Sequence, residues 1–446
     1  MNLKIKTTKL AKIIDGKIIH IKKNIKIKNF STDTRTIKEG DIFWALKGKN
    51  FDGNDFVDEA IKKKAIGIIS SKTPREIPNS VLFVIEVDDT LKALHKLAKY
   101  HLNKFDIKKI SVTGSNGKTT TKEMIFSVLS SHKPTIYNKG NLNNEYGLPL
   151  SVLEAEKKHK FGVFEIGASA KGDVKKLAWI IEPDISVITT IGPEHLEFFK
   201  TMKNIFETET EVIEHLKDDG KIIINGDNKY LKKLKNRKNV ISFGFEKNND
   251  LVIKEEKDYC KFTYEENDYI IKLQNPIKHN YLNAASAFLC GVFLKVPITK
   301  IINSLENFKG VPLRMEIIKR KNSIIILDAY NANPQSMELA INEIKKHKNF
   351  VLILGDMKEL GKYSKKYHLE LAKKILNSNP NYVFLIGPEI KIAYDFLKKK
   401  IKNVKYYSDT EKALEVKEFI KKNCDLNFLI KASRSMKFEK LLDKDH

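Results

Sequence analysis

Cysteine is scarce. The chain holds three, Cys260, Cys290 and Cys424, far apart and with no CxxC pair. That spacing builds neither a zinc cluster nor a disulfide framework, and it points to a reducing compartment, the cytoplasm. Long apolar runs are also missing. No segment approaches the roughly eighteen residues that cross a bilayer, and the N-terminal "MNLKIKTTKLAKIIDG" has basic residues without a continuous apolar stretch. No internal repeat or low-complexity tract is present. Acidic residues are outnumbered, 56 against 81 Lys and Arg, which leaves a net charge of +25. Such an excess raises nucleic acid as a partner. Arginine is sparse, however, and the lysines are spread along the whole chain, as in "IKKNIKIKNF" and "IKKHKNF". Base readout and phosphate clamping favour clustered arginine with interleaved aromatics. The excess therefore reads as a solvated lysine surface with some benefit for anionic small substrates, and no nucleic-acid partner is expected.

A chain of 446 residues is too long for one core. Three blocks emerge. Residues 1–102 carry short β-like runs ("GKIIHI", "DIFWALKG", "AIGIIS", "VLFVIEV") and then a helical pattern, "TLKALHKLAKYHL". Residues 103–310 alternate apolar runs ("IKKISV", "FGVFEIG", "DISVITTIG", "GKIIING") with helical segments, the signature of a parallel sheet with crossover helices. Residues 311–446 repeat that alternation with "SIIILDAY", "NFVLILGD", "NYVFLIGP" and "LNFLIKAS", which predicts a second doubly wound domain. The fold class expected is α/β in three domains: a small α/β domain, a central P-loop-type parallel sheet and a C-terminal Rossmann-like domain.

The stretch "SVTGSNGKTTTKEM" (residues 111–124) is a phosphate loop with a glycine out of place. The common loop asks for Gly, four residues, then Gly-Lys-Ser/Thr. Val112 stands where the first glycine belongs, and Gly114, three residues before Gly117, shortens the loop. Backbone N–H groups of Gly114, Ser115, Asn116 and Gly117 opening onto a helix make an anion site. Lys118 would neutralise β/γ-phosphate charge, the Thr119 hydroxyl would ligate Mg²⁺, and Thr120 follows them. Behind them Met124, Ile125, Val128 and Leu129 fall on one helical face. Magnesium also needs oxygen ligands. Glu165 and His195 stand at consecutive strand ends of the same domain, where an open α/β sheet gathers its ligands.

These motifs resemble a known family, the ATP-dependent Mur ligases. "VTGSNGKTTTKEM", "NKGNLNNEYGLPLSVL", "FEIGAS", "HLEFF", "INGDN", "HNYLNAASAF", "LDAYNANPQSM", "LGDMKELG" and "KASRSMKFE" run in family order, and "STDTRTIKEGDIFWALKGKNFDGNDFVDEAI" is similar to the family's uridine-nucleotide domain. The contracted loop is the family's form. Within the family, "YNANP" (Tyr330 to Pro334) and "GNLNNE" (Gly140 to Glu145) resemble the branch that joins D-alanyl-D-alanine to UDP-MurNAc-tripeptide.

The resemblance implies ATP and two Mg²⁺ ions, and an acyl phosphate formed on the tripeptide carboxylate and attacked by the dipeptide amine. By matched position it implies Lys118, His195 and Arg314 as catalytic groups, and Thr119, Glu165, His195 and Glu209 around the metals. Asn280 and Asn283, beside His279, would contact adenine, and Asp328 the ribose. Thr34 and Arg35 fall in the uridine segment, and Asn143 and Asn144 along the muramoyl substrate. Asn331 and Asn333, with Ser364 and His368, would face the dipeptide or support the closed site. The chain is expected to be a monomer.

Several positions depart from the family pattern. Glu209 stands where these ligases usually carry a lysine carbamylated by CO₂ within Lys-x-Glu, and no lysine occurs from Asn204 to Leu216. Either Glu209 replaces the carbamate, or Glu207, Glu209 and Glu211 form a solvated acidic face. Leu313 precedes Arg314 where the family often has Gly, which makes a less permissive hinge. Leu327 replaces a common Asp before Asp328, and Ala432 a common Gly. The alternatives are another ligase of the superfamily, such as folylpolyglutamate synthetase or a different Mur ligase, and a basic P-loop ATPase acting on nucleic acid.

Overall fold

The computed structural model describes residues 3–48 and 51–442, so Lys49 and Asn50 of the uridine-like segment lie outside the described residues. Each block forms its own sheet. The first has the order Lys17–Ile21, Phe83–Glu86, Gly67–Ser70, Ile42–Trp44, Phe30–Ser31, parallel apart from its Lys17–Ile21 edge. Its four principal strands fall on the four β-like runs read from the sequence.

The central sheet has nine strands, in the order Asn267–Ile271, Cys260–Tyr264, Leu251–Glu255, Val240–Gly244, Lys221–Asn225, Ile185–Ile188, Lys108–Thr113, Phe161–Glu165, Thr135–Tyr137. The pairings from Thr135 to Leu251 are parallel, and the last two strands add an antiparallel edge. Residues 109–113 are buried without a break, as a strand covered on both faces must be. Ile110 and Val112 pack on one side with Met124, Ile125, Val128 and Leu129 of the helix Lys118–Ser130 and with Tyr281, Ala284 and Phe288 of the helix Lys278–Phe293. On the other side Phe164 and Ile188 join Leu177, Ala178 and Ile181 of the helix Asp173–Ile181. The helix Thr90–Leu102, at the end of the first block, puts Leu94, Leu97 and Ala98 into this second core and so ties the two blocks together.

The strand Lys108–Thr113 is flanked by Phe161–Glu165 on one side and Ile185–Ile188 on the other. Chain order reverses there, and the crevice beyond the strand ends at such a switch point is where an open α/β sheet binds its ligand. The loop Gly114–Gly117 emerges from it.

The third sheet runs Glu316–Lys319, Ile324–Asp328, Asn427–Lys431, Phe350–Gly355, Tyr382–Ile386, Val404–Tyr407, parallel apart from its first strand. Its four inner strands match the apolar runs. The two edge strands, partly exposed and mixed in polarity, were not among them.

Candidate functional site

Two glycines shape the phosphate loop. Gly114 has φ 119° and Gly117 φ 84°, in the left-handed region that side chains avoid. A Cβ on Gly114 would stand 2.4 Å from Thr189 Oγ1, and one on Gly117 would stand 2.7 Å from Asn283 Oδ1. The loop is also bracketed from the next strand end. Thr189 Oγ1 donates to the Asn116 carbonyl (2.6 Å), and Ser115 Oγ bonds both the amide and the carbonyl of Gly192 (2.9 and 3.0 Å). The helix Lys118–Ser130 starts directly behind, so its free N–H groups and positive dipole end face the place a phosphate would take.

The Lys118 ammonium folds back onto the Gly114 carbonyl and stands 3.4 Å from Glu194 Oε2. Burial works against its charge, but Glu194, Glu209 and Glu165 outweigh burial and hold its pKa above the ordinary lysine value. Glu194 itself, 3% exposed, is pushed up to about 7, chiefly by burial; Lys118 opposes the rise and Glu209 adds to it. Glu165 Oε1 accepts from Asn143 Nδ2 (2.7 Å). Glu165 Oε2 and Glu194 Oε1 are buried without a hydrogen bond. Lys122, fully buried one turn further along the helix, donates to the carbonyls of Asn138 (2.7 Å) and Gly140 (3.2 Å) and lies 3.8 Å from Glu165 Oε2.

Glu209 settles one of the sequence alternatives. It is 2% exposed, and its Oε2 accepts from Thr113 Oγ1 and from the Gly114 amide (2.7 Å), directly beneath the loop. Glu207 is on the surface with Lys171, and Glu211 accepts from the amides of Gly172 and Lys175. The shared acidic face is therefore corrected. Residues two apart on a helix point to different sides, and here one faces solvent while the next reaches the sheet.

The third block closes over the same crevice. His195 has φ 45°, and its Nδ1 lies 2.5 Å from Glu359 Oε2. Burial disfavours its charged ring, but the Glu359 carboxylate prevails and keeps the imidazole above its ordinary value. The Glu359 carbonyl also accepts from the Glu197 amide (3.0 Å). The Arg314 guanidinium stacks 3.9 Å from the Tyr330 ring, held by a hinge in which Leu313 (φ 61°) and Met315 (φ 48°) are both left-handed. Asp328 is engaged on both oxygens: Oδ2 pairs with buried Lys431, and Oδ1 accepts from the Met315 amide (3.2 Å). It anchors the hinge, and the expectation of a ribose contact meets a carboxylate that is already occupied.

Other expected residues also have protein partners. Asn283 Oδ1 accepts from Thr121 Oγ1 (3.1 Å) beneath Gly117, and Asn280 donates to the Asn275 carbonyl (3.2 Å). Asn283 supports the loop from the helix Lys278–Phe293, and Asn280 Oδ1 lies 3.4 Å from Asn283 Nδ2 behind it. Asn144 Oδ1 accepts from the amides of Tyr146 (3.1 Å) and Gly147 (2.8 Å) where the helix Gly147–Val152 begins. Thr34 is buried and Arg35 is exposed, paired with Asp33. Asn331 is exposed, and its carbonyl accepts from Lys431 (2.8 Å), whereas Asn333 is buried and caps the helix Pro334–Ile344. His368 is fully buried, with Nδ1 on the Ser364 carbonyl and Nε2 on the Met357 amide, so it shapes the loop that presents Glu359.

Among the described residues no group of three His, Cys, Asp or Glu side chains is close enough to hold a metal ion. Any ion here therefore needs oxygens from the nucleotide as well. Glu194, Lys122, Glu359 and Gln335 were missed from the sequence, although the last three lie inside motifs quoted for the resemblance and Glu194 directly precedes "HLEFF". Their adjacency to His195, the threonines or Pro334 was the available signal.

Family models match along most of the chain: "Mur ligase family, catalytic domain" over residues 26–101, "Mur ligase middle domain" over 112–291 and "Mur ligase, glutamate ligase domain" over 313–433. The UDP-N-acetylmuramoyl-tripeptide–D-alanyl-D-alanine ligase of Bacillus subtilis is 36% identical over 93% of this chain and 92% of its own length. A crystal structure of MurF from Acinetobacter baumannii superposes with TM-score 0.88 at 28% identity, covering 97% of this chain and 96% of that one. The MurF ligase of Thermotoga maritima, solved with ADP, gives 0.83 at 31% identity over 93% and 96%.

Proposed function

The chain belongs to the Mur ligase family, and from that premise we propose how its residues carry out the reaction. It is an ATP-dependent ligase that adds D-alanyl-D-alanine to UDP-N-acetylmuramoyl-tripeptide. One observation carries the residue assignments: a contracted phosphate loop whose lysine is ringed by buried carboxylates lies under the Tyr330–Pro334 motif of the last domain.

The triphosphate binds across the amides of residues 114–117. Lys118 exchanges Glu194 for the β/γ-phosphates, which offsets their repulsion toward the tripeptide carboxylate and leaves the buried Glu194 carboxyl in need of another cation. Arg314, presented on the Tyr330 ring, adds charge from the hinge side. The free oxygens of Glu165 and Glu194 fit a divalent cation, since a buried carboxylate oxygen without a donor is costly unless a cation meets it. Thr119, Glu165, His195 and Glu209 would hold magnesium with the nucleotide, and when bound it would supply neutralisation of the phosphates.

Asn143, fixed on Glu165, lines the muramoyl side, with Thr34 and Arg35 toward the uridine. The acyl phosphate forms under the last domain, which keeps water away until the dipeptide amine attacks. Asn331, exposed in the Tyr330–Pro334 motif, borders that amine side. No helix among the described residues is long and apolar enough to cross a membrane; we place the enzyme in the cytoplasm, acting as a monomer.

A mass-based ligation assay that offers UDP-MurNAc-tripeptide with D-alanyl-D-alanine, single amino acids or glutamate tests the substrate assignment. Turnover with the dipeptide alone is expected. Preferential use of glutamate would instead point to the folate-type ligase.

A further inference from the structure

We propose that Asn116, although it belongs to the phosphate loop, is a positioning residue whose side chain is reserved for the C-terminal domain, so that Asn333 and Gln335 complete the loop only when that domain is closed. The inference rests on the ligase reading above and goes beyond it by tying the loop's final shape to closure.

The carboxamide of Asn116 has one acceptor and one donor group to place. Its Oδ1 accepts from Asn333 Nδ2 (2.8 Å), and its Nδ2 donates to Gln335 Oε1 (2.9 Å). Both ends are taken up across the seam between domains, by residues more than two hundred positions away in the chain. Neither end is turned toward the place where phosphate binds.

The partners are built for the task. Asn333 is 4% exposed and locked by a reciprocal cap, its Oδ1 accepting from the Ser336 amide (2.8 Å) while its own amide donates to Ser336 Oγ (3.0 Å). That leaves its Nδ2 for Asn116. Gln335 is seated against Gly192, where a Cβ would stand 2.0 Å from Gln335 Oε1, so a side chain there would displace the Gln335 carboxamide. Gly192 is the residue that Ser115 Oγ clasps from both sides. Ser115 and Asn116 are thus held by Thr189 and Gly192 from their own domain and by two amides from the other, immediately before Gly117 turns left-handed into the helix.

If the C-terminal domain swings away, the inner contacts remain and the two amide bonds are lost. The loop can then still take up nucleotide, but its outer edge is free and its phosphate is poorly aligned for transfer. Closure restores the alignment at the moment when water is excluded. Phosphoryl transfer is thereby confined to the state that protects the acyl phosphate.

The experiment uses the full chain and three variants: Gln335→Ala, which leaves the loop's own composition intact, Gly192→Ala, which pushes Gln335 out, and Asn116→Ala. Three quantities are read: ADP affinity by calorimetry, kcat for ligation, and phosphate released per peptide bond formed. ADP affinity should stay within about twofold of the parent, while kcat falls about fivefold to tenfold, the loss expected for one or two neutral hydrogen bonds in the reacting state. Phosphate released should exceed one per bond, and Asn116→Ala combined with Gln335→Ala should be no worse than Asn116→Ala alone. An unchanged kcat in Gln335→Ala overturns the proposal, and so does a parallel fall in ADP affinity, which would mean the side chain serves the nucleotide. Gln335→Ala decides the matter even if Gly192→Ala does not fold. Absence of ligation in the parent removes the ligase reading and this one together; loss of the effect in an active parent removes this one alone.

Discussion

Replacing Glu209 by Gln deletes one negative charge under the phosphate loop while keeping an oxygen that can accept. In the native protein Oε2 receives two bonds, from Thr113 Oγ1 and from the Gly114 amide. A hydrogen bond to a charged group nets about 1.5–3 kcal/mol and a neutral one about 0.5–1.5, so each bond loses about 1 kcal/mol and the pair about 2. Glu209→Ala leaves two buried donors unpaired at about 1–3 kcal/mol each, or about 4 in all. Urea unfolding followed through Trp179, on the helix Asp173–Ile181 of the same domain, should therefore order the variants as parent, Gln, Ala. The carboxylate here is part of the side chain, so ligation by the parent should be equal in bicarbonate-depleted and bicarbonate-supplemented buffer. Activity lost on depletion and restored by bicarbonate would refute this reasoning. A Gln variant as stable as the parent would refute the anchoring role.

Three further outcomes are expected. Lys122→Met removes a buried ammonium from the Asn138 and Gly140 carbonyls and from Glu165; a loss of about 3–5 kcal/mol in unfolding free energy is predicted, with proteolytic nicking appearing first around residues 138–147. Leu313→Gly should be nearly neutral in a thermal melt, because relief of about 1 kcal/mol of left-handed strain is offset by a similar gain in unfolded-chain freedom, whereas Leu313→Val should destabilise by more than 1 kcal/mol. Lys109 is buried beside Lys217, and burial first, then that neighbour, pulls its pKa down to about 8. Between pH 8 and about 10.5 the unfolded chain holds the proton that the native protein has released, so native stability rises with pH across that window. Unfolding measured from pH 7.5 to 10 should show this rise in the parent and a flatter profile in Lys109→Met.

What was legible in the sequence was local or periodic. The strand–loop–helix around Gly117 and Lys118, the burial of Met124, Ile125, Val128 and Leu129, four strands of the central sheet and the inner strands of the third follow from patterns a few residues long, whereas Val240–Gly244, Leu251–Glu255 and Cys260–Tyr264 were not among the runs read. The edge strands Glu316–Lys319 and Val404–Tyr407 did not, because exposure on one side dilutes their apolar signal. Site residues were legible as members of motifs but not by orientation. Asn116 was read for its backbone N–H alone, and nothing in the sequence shows that its side chain crosses to Asn333 and Gln335. Asp328 was expected at the ribose, yet Lys431 holds it from 103 positions away. Glu209 was separable from Glu207 only once the end of its helix was placed against the sheet. Such partners are set by domain packing, which no window of sequence contains.

The central claim is that the loop passes the terminal phosphate of ATP to the carboxylate of the tripeptide. The most direct measurement labels that carboxylate with ¹⁸O, runs ligation with D-alanyl-D-alanine, and weighs the phosphate released. The account predicts one ¹⁸O per phosphate, since the bridging oxygen leaves with the phosphoryl group when the amine attacks. Phosphate free of label, with the peptide bond formed, would contradict it.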